Sequence, residues 1–192
     1  MAVVSAGAVP GNYVENPLLP YQRHHAVVSD RSDGIADGLP SDRDGAQADV
    51  VVLLVQGAGT AGKIWCGDAA AIRPPADQAY TVTTLRCASA NLSLAHEIGH
   101  LAGARHDDDA TTTPYPFGHG HINAAKLWRT IMATDRHCAG CRRIPHWSNP
   151  AVSYPNKAAL IPTGIAGISE EARVWSIEAA KLSRYRCGNG TT

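Results

Sequence analysis

The sequence predicts a mixed α+β fold of two lobes: a twisted mixed sheet with a helix packed beneath it, then a smaller lobe closed by a terminal helix. Three stretches carry that expectation. They are the unbroken apolar run Ala48 to Gln56, the helically spaced segment 91–102, and the well-capped segment Ser169 to Arg184. A chain of 192 residues, 44% hydrophobic and 18% charged, is long enough for one sizeable core, and a single domain over 1–192 is expected. Its lobes divide at the third of three clustered histidines, into 1–106 and 107–192.

Charge narrows the partners. With 17 basic and 17 acidic side chains, neither nucleic acid nor an anionic membrane is an expected partner. The balance is uneven, however: residues 1–125 carry 7 Lys/Arg against 13 Asp/Glu, and residues 126–192 carry 10 against 4. The C-terminal third therefore offers a basic wall, or simply one of two oppositely charged solvated surfaces. No apolar run reaches the length of a membrane span. The opening MAVVSAGAVPGNYVE lacks the basic start and long apolar core of a secretory signal.

Taken in order, Val3 to Val14 reads as a strand with a turn at Pro10-Gly11, from its β-branched content. Residues 16–48 are rich in Asp, Gly, Pro and Ser and read as loop, with a short helix around Asp33 to Leu39 that Pro40 interrupts. ADVVVLLVQ at 48–56 has the continuous apolar character of a central strand buried on both faces. Gly57 to Gly67 is a loop or short edge strand, and Ala79 to Leu85 (AYTVTTL) a further strand. The last helix has Ser169 as N-cap, acids in its first turn and bases in its last, with Ala172, Trp175, Ile177, Ala179 and Leu182 as packing positions.

The chemistry concentrates in AHEIGHLAGARHD, residues 95–107. On a helix, His96 and His100 share one face while Leu94, Ile98 and Leu101 point the other way. Two imidazoles one turn apart can ligate one zinc ion, but tetrahedral coordination needs donors from another direction. Gly103 can end the helix in the left-handed conformation, so that His106 returns to the same ion. Three imidazoles leave one coordination position for water, as in a catalytic site. Glu97 can reach that water as general base and later protonate the leaving amine. An H-E-x-x-H alone arises by chance in amphipathic helices. Requiring Gly and His at the further two positions makes coincidence about 200-fold rarer at this chain's 18 Gly and 9 His in 192 residues.

H-E-I-G-H-L-A-G-A-R-H-D resembles the extended zinc signature of the metzincin metallopeptidases, with Asp107 matching the reprolysin type rather than the matrixin type. The resemblance implies a methionine turn under one catalytic zinc ion, which RTIMAT at 129–134 fits, with Met132 as a packing floor. Thr134 stands where astacins and serralysins carry a tyrosine ligand, so none is expected here. YPFGHGHI at 115–122, WRTIMATD at 128–135 and RIPHWSNPAVSYP at 143–155 are most similar to bacterial peptidyl-Asp metalloendopeptidases. That likeness implies a secreted endopeptidase, expected to be monomeric, cutting polypeptide on the amino side of acidic residues. Arg142 or Arg143 would then meet the substrate carboxylate. It also places a substrate-binding edge strand at 61–67, with Lys63, Ile64 and Trp65 as contacts. Such domains usually open with a strand and a long helix ahead of the region matching residues 1–15. Their absence here suggests truncation, and with it a non-catalytic zinc-stabilised peptide-binding module as the alternative.

Other features compete for attention. Gly57 to Lys63 matches most of a G-x-x-x-x-G-K phosphate loop, but Ile64 replaces the hydroxyl residue that would hold magnesium. Cys66 and Cys87 are placed to bridge the strands they flank. Cys138-Ala-Gly-Cys141 either closes a small loop or, with His137 and His146, forms a second zinc site, and Cys187 is left over. His119 and His121 are expected to pack or hydrogen-bond. Asp107 is expected to hold its own turn, and a calcium site at Asp107 to Asp109 stays open.

Overall fold

The structure, a computed structural model, describes residues 3, 5–9, 13–15, 21–56, 66–156 and 159–186. Its architecture is the mixed α+β arrangement expected. Helices α1 (Tyr21–Ser29) and α2 (Leu39–Gly45) precede β1 (Val51–Val55), β2 (Gly67–Ala69) and β3 (Tyr80–Thr84). The short α3 (Leu85–Ala90) then leads into α4 (Ser93–Ala102). Beyond it lie β4 (Ile122–Asn123), β5 (Trp128–Arg129), β6 (Arg142–Arg143), the hairpin β7 (Ser153–Asn156) and β8 (Ala159–Pro162), and finally α5 (Glu171–Leu182).

The first sheet has the order β1-β3-β2, with β1 parallel and β2 antiparallel to β3. This corrects the expectation for the run at 48–56. All five residues of β3 are buried, whereas β1 lies outside it and leaves Leu54 48% exposed. Position decides, because Thr81, Thr83 and Thr84 are buried in spite of their hydroxyls. Val28 of α1 joins Leu53, Val55, Tyr80 and Val82 in the core beneath this sheet.

The N-terminal region also departs from expectation. The described residues between 3 and 15 form no strand, and residues 31–38 are bends and turns rather than helix. Pro40 opens α2 instead of interrupting a helix, since the first turn has no use for its missing N–H. Arg43 of α2 is only 3% exposed, lies 5.1 Å over the Tyr80 ring and donates from Nε to the Ala48 carbonyl at 2.9 Å. Helix α1, absent from the sequence reading, ties to the sheet through His25 Nε2 and Asp68 Oδ2 at 3.0 Å. The phosphate-loop match at 57–63 lies outside the described residues, as does Cys187.

The terminal helix forms where expected but is capped from a distance. Ser169 Oγ accepts from Ile165 N–H, while the Glu171 N–H donates to Ser148 Oγ at 2.9 Å and Ser148 N–H donates to Glu171 Oε2 at 2.8 Å. It is a capping exchange made between loop and helix rather than within one segment. Of the expected packing positions Leu182 is buried and Ala179 is exposed, with Val174 and Glu178 buried in addition. The Glu178 carboxylate accepts from the Tyr115 hydroxyl and pairs with Arg73 Nε at 3.1 Å and Lys181 Nζ at 2.9 Å. Burial pushes its pKa up, but these donors outweigh burial and hold it below the usual range. The cluster fastens α5 to the segment before β3, whose Arg73 N–H in turn donates to the His100 carbonyl at 2.9 Å.

Candidate metal centre

Helix α4 packs on β2 and β3, and eight of its ten residues are buried. Both faces of the helix are buried from His96 onward: Ile98 and Leu101 are 6% and 0% exposed, and His96 and His100 only 7% and 8%. The helix ends at Gly103, with φ of 100°, a conformation that disfavours any side chain. The Gly103 N–H donates to the His100 carbonyl and the Ala104 N–H to the Gly99 carbonyl, each at 2.9 Å. The chain then turns, and Arg105 bridges His119, with its N–H donating to the Gly118 carbonyl and its carbonyl accepting from Gly120 N–H. That short ladder holds the returning histidine. His119 Nδ1 adds a hydrogen bond to the His106 carbonyl at 3.0 Å, the bonding role expected of it.

The three imidazoles meet. His106 Nε2 lies 3.0 Å from His96 Nε2 and 3.1 Å from His100 Nε2. The spacing suits nitrogens around one tetrahedral ion, for which bonds of about 2.0–2.1 Å put donors about 3.4 Å apart. Orientation suits it too. His96 Nδ1 donates to the Ile131 carbonyl at 2.7 Å and His100 Nδ1 to the Ala104 carbonyl at 3.0 Å, which leaves both Nε2 lone pairs directed toward His106 Nε2. Burial lowers all three pKa values, the second largest cause at His96 being His100 and at His100 being His106, with His100 near 3. Neutral, converging lone pairs repel without a cation between them. Among the described residues this is the one His/Cys/Asp/Glu group able to hold a metal ion.

Met132 is 0% exposed and forms the floor, with Ala104 and Ile131, against Trp147. Gly99, inside the histidine motif, makes this possible: a Cβ there would come within 2.4 Å of Met132 Sδ. Asp107 does not hold its own turn. Its Oδ1 accepts from Thr134 N–H at 2.7 Å, clamping the histidine motif to the methionine turn 27 residues on. Asp108 pairs with Arg136 and Asp109 with Arg105, so the three acids face separate partners and no calcium cluster forms. Cys138 and Cys141 are joined as a disulfide, which removes the second zinc site, and Cys66 bridges Cys87.

Glu97 is 5% exposed beside His96. Desolvation, and secondarily the charge of Asp68, push its pKa to about 8. Edge strand β2 lies against it so closely that a Cβ on Gly67 would stand 2.7 Å from Glu97 Oε1. Lys63, Ile64 and Trp65, the expected substrate contacts, lie outside the described residues. The two arginine candidates separate. Arg142 is exposed, while Arg143 is half-buried and donates from Nη1 to the Asn91 carbonyl at 2.8 Å and from Nη2 to the Ala133 carbonyl at 3.3 Å. Burial, then the neighbouring Arg129, lower the Arg143 pKa to about 10. Asp68 carries no sequence signal, and the close approach of Gly67 to Glu97 is set by tertiary contact rather than by any motif.

A helix-borne H-E-x-x-H, a third histidine returned by a glycine turn and a buried methionine beneath define a metallopeptidase type of site. The chain belongs to the metallo-peptidase family M12, the Reprolysin_5 group matching residues 20–148. It is 39% identical over 160 residues to a peptidyl-Asp metalloendopeptidase of Stenotrophomonas maltophilia (strain R551-3), covering 81% of this chain and 36% of that protein. It is 36% identical over 158 residues to the one of Xanthomonas campestris pv. campestris, covering 81% and 35%. Against the one of Pseudomonas fragi, identity is 44% over 90 residues, 43% of this chain and 61% of that protein. The chain thus spans about a third of the length of the first two relatives. In fold it is also similar to a chain in a structure described as a chaperone-substrate complex, with TM-score 0.61 and 22% identity over 83% of this chain and 24% of that one.

Proposed function

We propose that the chain is the catalytic domain of a zinc-dependent endopeptidase that cuts polypeptide on the amino side of acidic residues. The observation that carries this reading is the convergence of the Nε2 atoms of buried His96 and His100 and half-buried His106 beside Glu97. His96, His100 and His106 hold the ion, and Met132 supports them from below. Zinc, when bound, supplies Lewis acidity toward the peptide carbonyl and toward water. Glu97 takes a proton from the water whose oxygen bonds to the carbonyl carbon, and delivers it to the amine nitrogen as the C–N bond breaks. The peptide lies extended along β2, whose neighbours Lys63, Ile64 and Trp65 would contact it. Half-buried Arg143, held on the Asn91 carbonyl just ahead of the histidine helix and on the Ala133 carbonyl next to Met132, suits an acidic side chain after the cut bond better than exposed Arg142 does. The domain works as a monomer with lobes 1–106 and 107–192, and its two disulfides favour an extracytoplasmic setting. No helix among the described residues is long and apolar enough to cross a membrane.

Cleavage-site mapping on a denatured protein tests the reading. Cutting should vanish with a chelator, return with zinc, and leave Asp or Glu just after the cut bonds. Full zinc occupancy with no cleavage of any substrate would contradict it and mark a peptide-binding module instead.

A further inference from the structure

His96 and His100 are fixed twice over, by helix α4 and by Nδ1 bonds to the Ile131 and Ala104 carbonyls. His106 has neither support. It follows the helix stop at Gly103, and its ring makes no Nδ1 hydrogen bond among the described residues. Its place is set through its backbone: the His106 carbonyl accepts from His119 Nδ1 at 3.0 Å and from the Asp109 N–H at 3.5 Å. A ligand carried on a loop is only as well placed as the groups that hold the loop.

His119 is held in turn. Its carbonyl accepts from Ser148 Oγ at 2.7 Å, that hydroxyl oxygen accepts from the Glu171 N–H at 2.9 Å, and the Ser148 N–H donates to Glu171 Oε2 at 2.8 Å. Glu171, Ser148, His119 and His106 thus form one continuous chain of bonds from the start of α5 to the third histidine. Ser148 and Glu171 are fully buried and His119 nearly so, which keeps water from competing for these bonds. The flanking backbone braces the chain, the Glu170 N–H donating to the Phe117 carbonyl at 2.7 Å and the Ala172 N–H to the Ser148 carbonyl at 3.1 Å. The free donors of the helix start are therefore spent on the two segments it joins. Glu171 Oε1 is buried with no hydrogen-bond partner among the described residues. Burial, with a smaller push from Asp107, raises the carboxyl pKa to about 8 against the Ser148 bonds and Arg143, so at pH 7 the side chain is mainly a neutral acid.

We infer that Glu171 and Ser148 are positioning residues for the third metal ligand: acting on the His119 carbonyl, they hold the imidazole that fixes where His106 meets the ion. The inference rests on the reading of His96, His100 and His106 as ligands of one zinc ion. Ser148 is the hub, because it donates to both His119 and Glu171 and accepts from the helix. It also follows Trp147, which packs on the Met132 floor, so ligand and floor are held from one segment. Glu171 serves Ser148 by accepting a bond, and a neutral amide of the same shape can do that as well.

The test is the zinc affinity of the folded, metal-free protein, measured by competition with a chromophoric chelator. Ser148→Ala should weaken zinc binding by about 10- to 100-fold, the usual scale for removing an outer partner of a metal-binding histidine. Glu171→Met, which fills the space but accepts nothing, should lose a similar amount, and Glu171→Gln should stay close to the parent. His119→Phe should weaken zinc binding as Ser148→Ala does, and the two together should cost little more than either alone, because the serine acts through the histidine. A merely structural role would lower the unfolding temperature of the metal-free protein and leave its zinc affinity where it was. Should the alanine variant not fold, Ser148→Cys keeps a similar shape with a weak donor and must show the same loss. Parent affinity in a folded Ser148 or His119 variant, or losses that simply add in the double variant, overturns the inference and leaves the endopeptidase intact. So does a loss in Glu171→Gln equal to that in Glu171→Met. A parent that binds no zinc removes the metal-centre reading and this inference with it.

Discussion

Glu97→Gln is expected to lower kcat by about 10³-fold, within the range that a positioned acid/base group contributes, while the protein still binds one zinc ion. The amide has the shape of the carboxylate, so its packing against Gly67 and the placing of His96 should survive. On the proposed mechanism, what disappears is the capacity to take a proton from water and pass it to the amine. Stopped kinetics on a defined peptide, paired with metal analysis of the same preparation, separates the two effects. A variant that cleaves within a few-fold of the parent would show that another group is the base. Loss of both metal and activity would mean that Glu97 shapes the site instead of acting in it.

Gly67→Ala should be the second most damaging change, through a contact that no motif reveals. The added methyl would stand 2.7 Å from Glu97 Oε1, 2.8 Å from its Cγ and 2.8 Å from the Val82 carbonyl oxygen. These distances are too short to keep, and the carbonyl belongs to the middle strand of its sheet, paired on both sides. Either Glu97 swings away or the edge strand lifts. A displacement of about 1 Å in a catalytic group can cost about 10²-fold in rate, and kcat should fall on that scale with zinc binding retained. An alanine variant with the parent's kcat would mean that Glu97 does not sit under β2 during turnover.

Much of the site was legible in the sequence because its determinants are local. The separation of His96 from His100 is one helical turn, and the third histidine needs a left-handed residue, which only Gly103 offers cheaply. Met132 was legible through resemblance, but the reason it fits lay in Gly99, whose missing Cβ admits the sulfur. The fold was read less well where burial, not pattern, decides. Threonine-rich β3 is the buried middle strand and the apolar run of β1 lies outside it. Helix α1 was hidden because its nine residues, YQRHHAVVS, show no strong apolar stripe, and its hold on the sheet comes through Val28 and His25. Asp107 was read as a local brace because turn acids usually act nearby, while its partner Thr134 lies across the fold.

The central claim is that His96, His100 and His106 share one ion. X-ray absorption at the zinc edge of the metal-loaded protein addresses it directly. The account predicts one zinc per chain with three imidazole nitrogens at about 2.0–2.1 Å and one oxygen completing the shell. Sulfur in the shell, two imidazoles in place of three, or a spectrum unchanged by His106→Ala would contradict it.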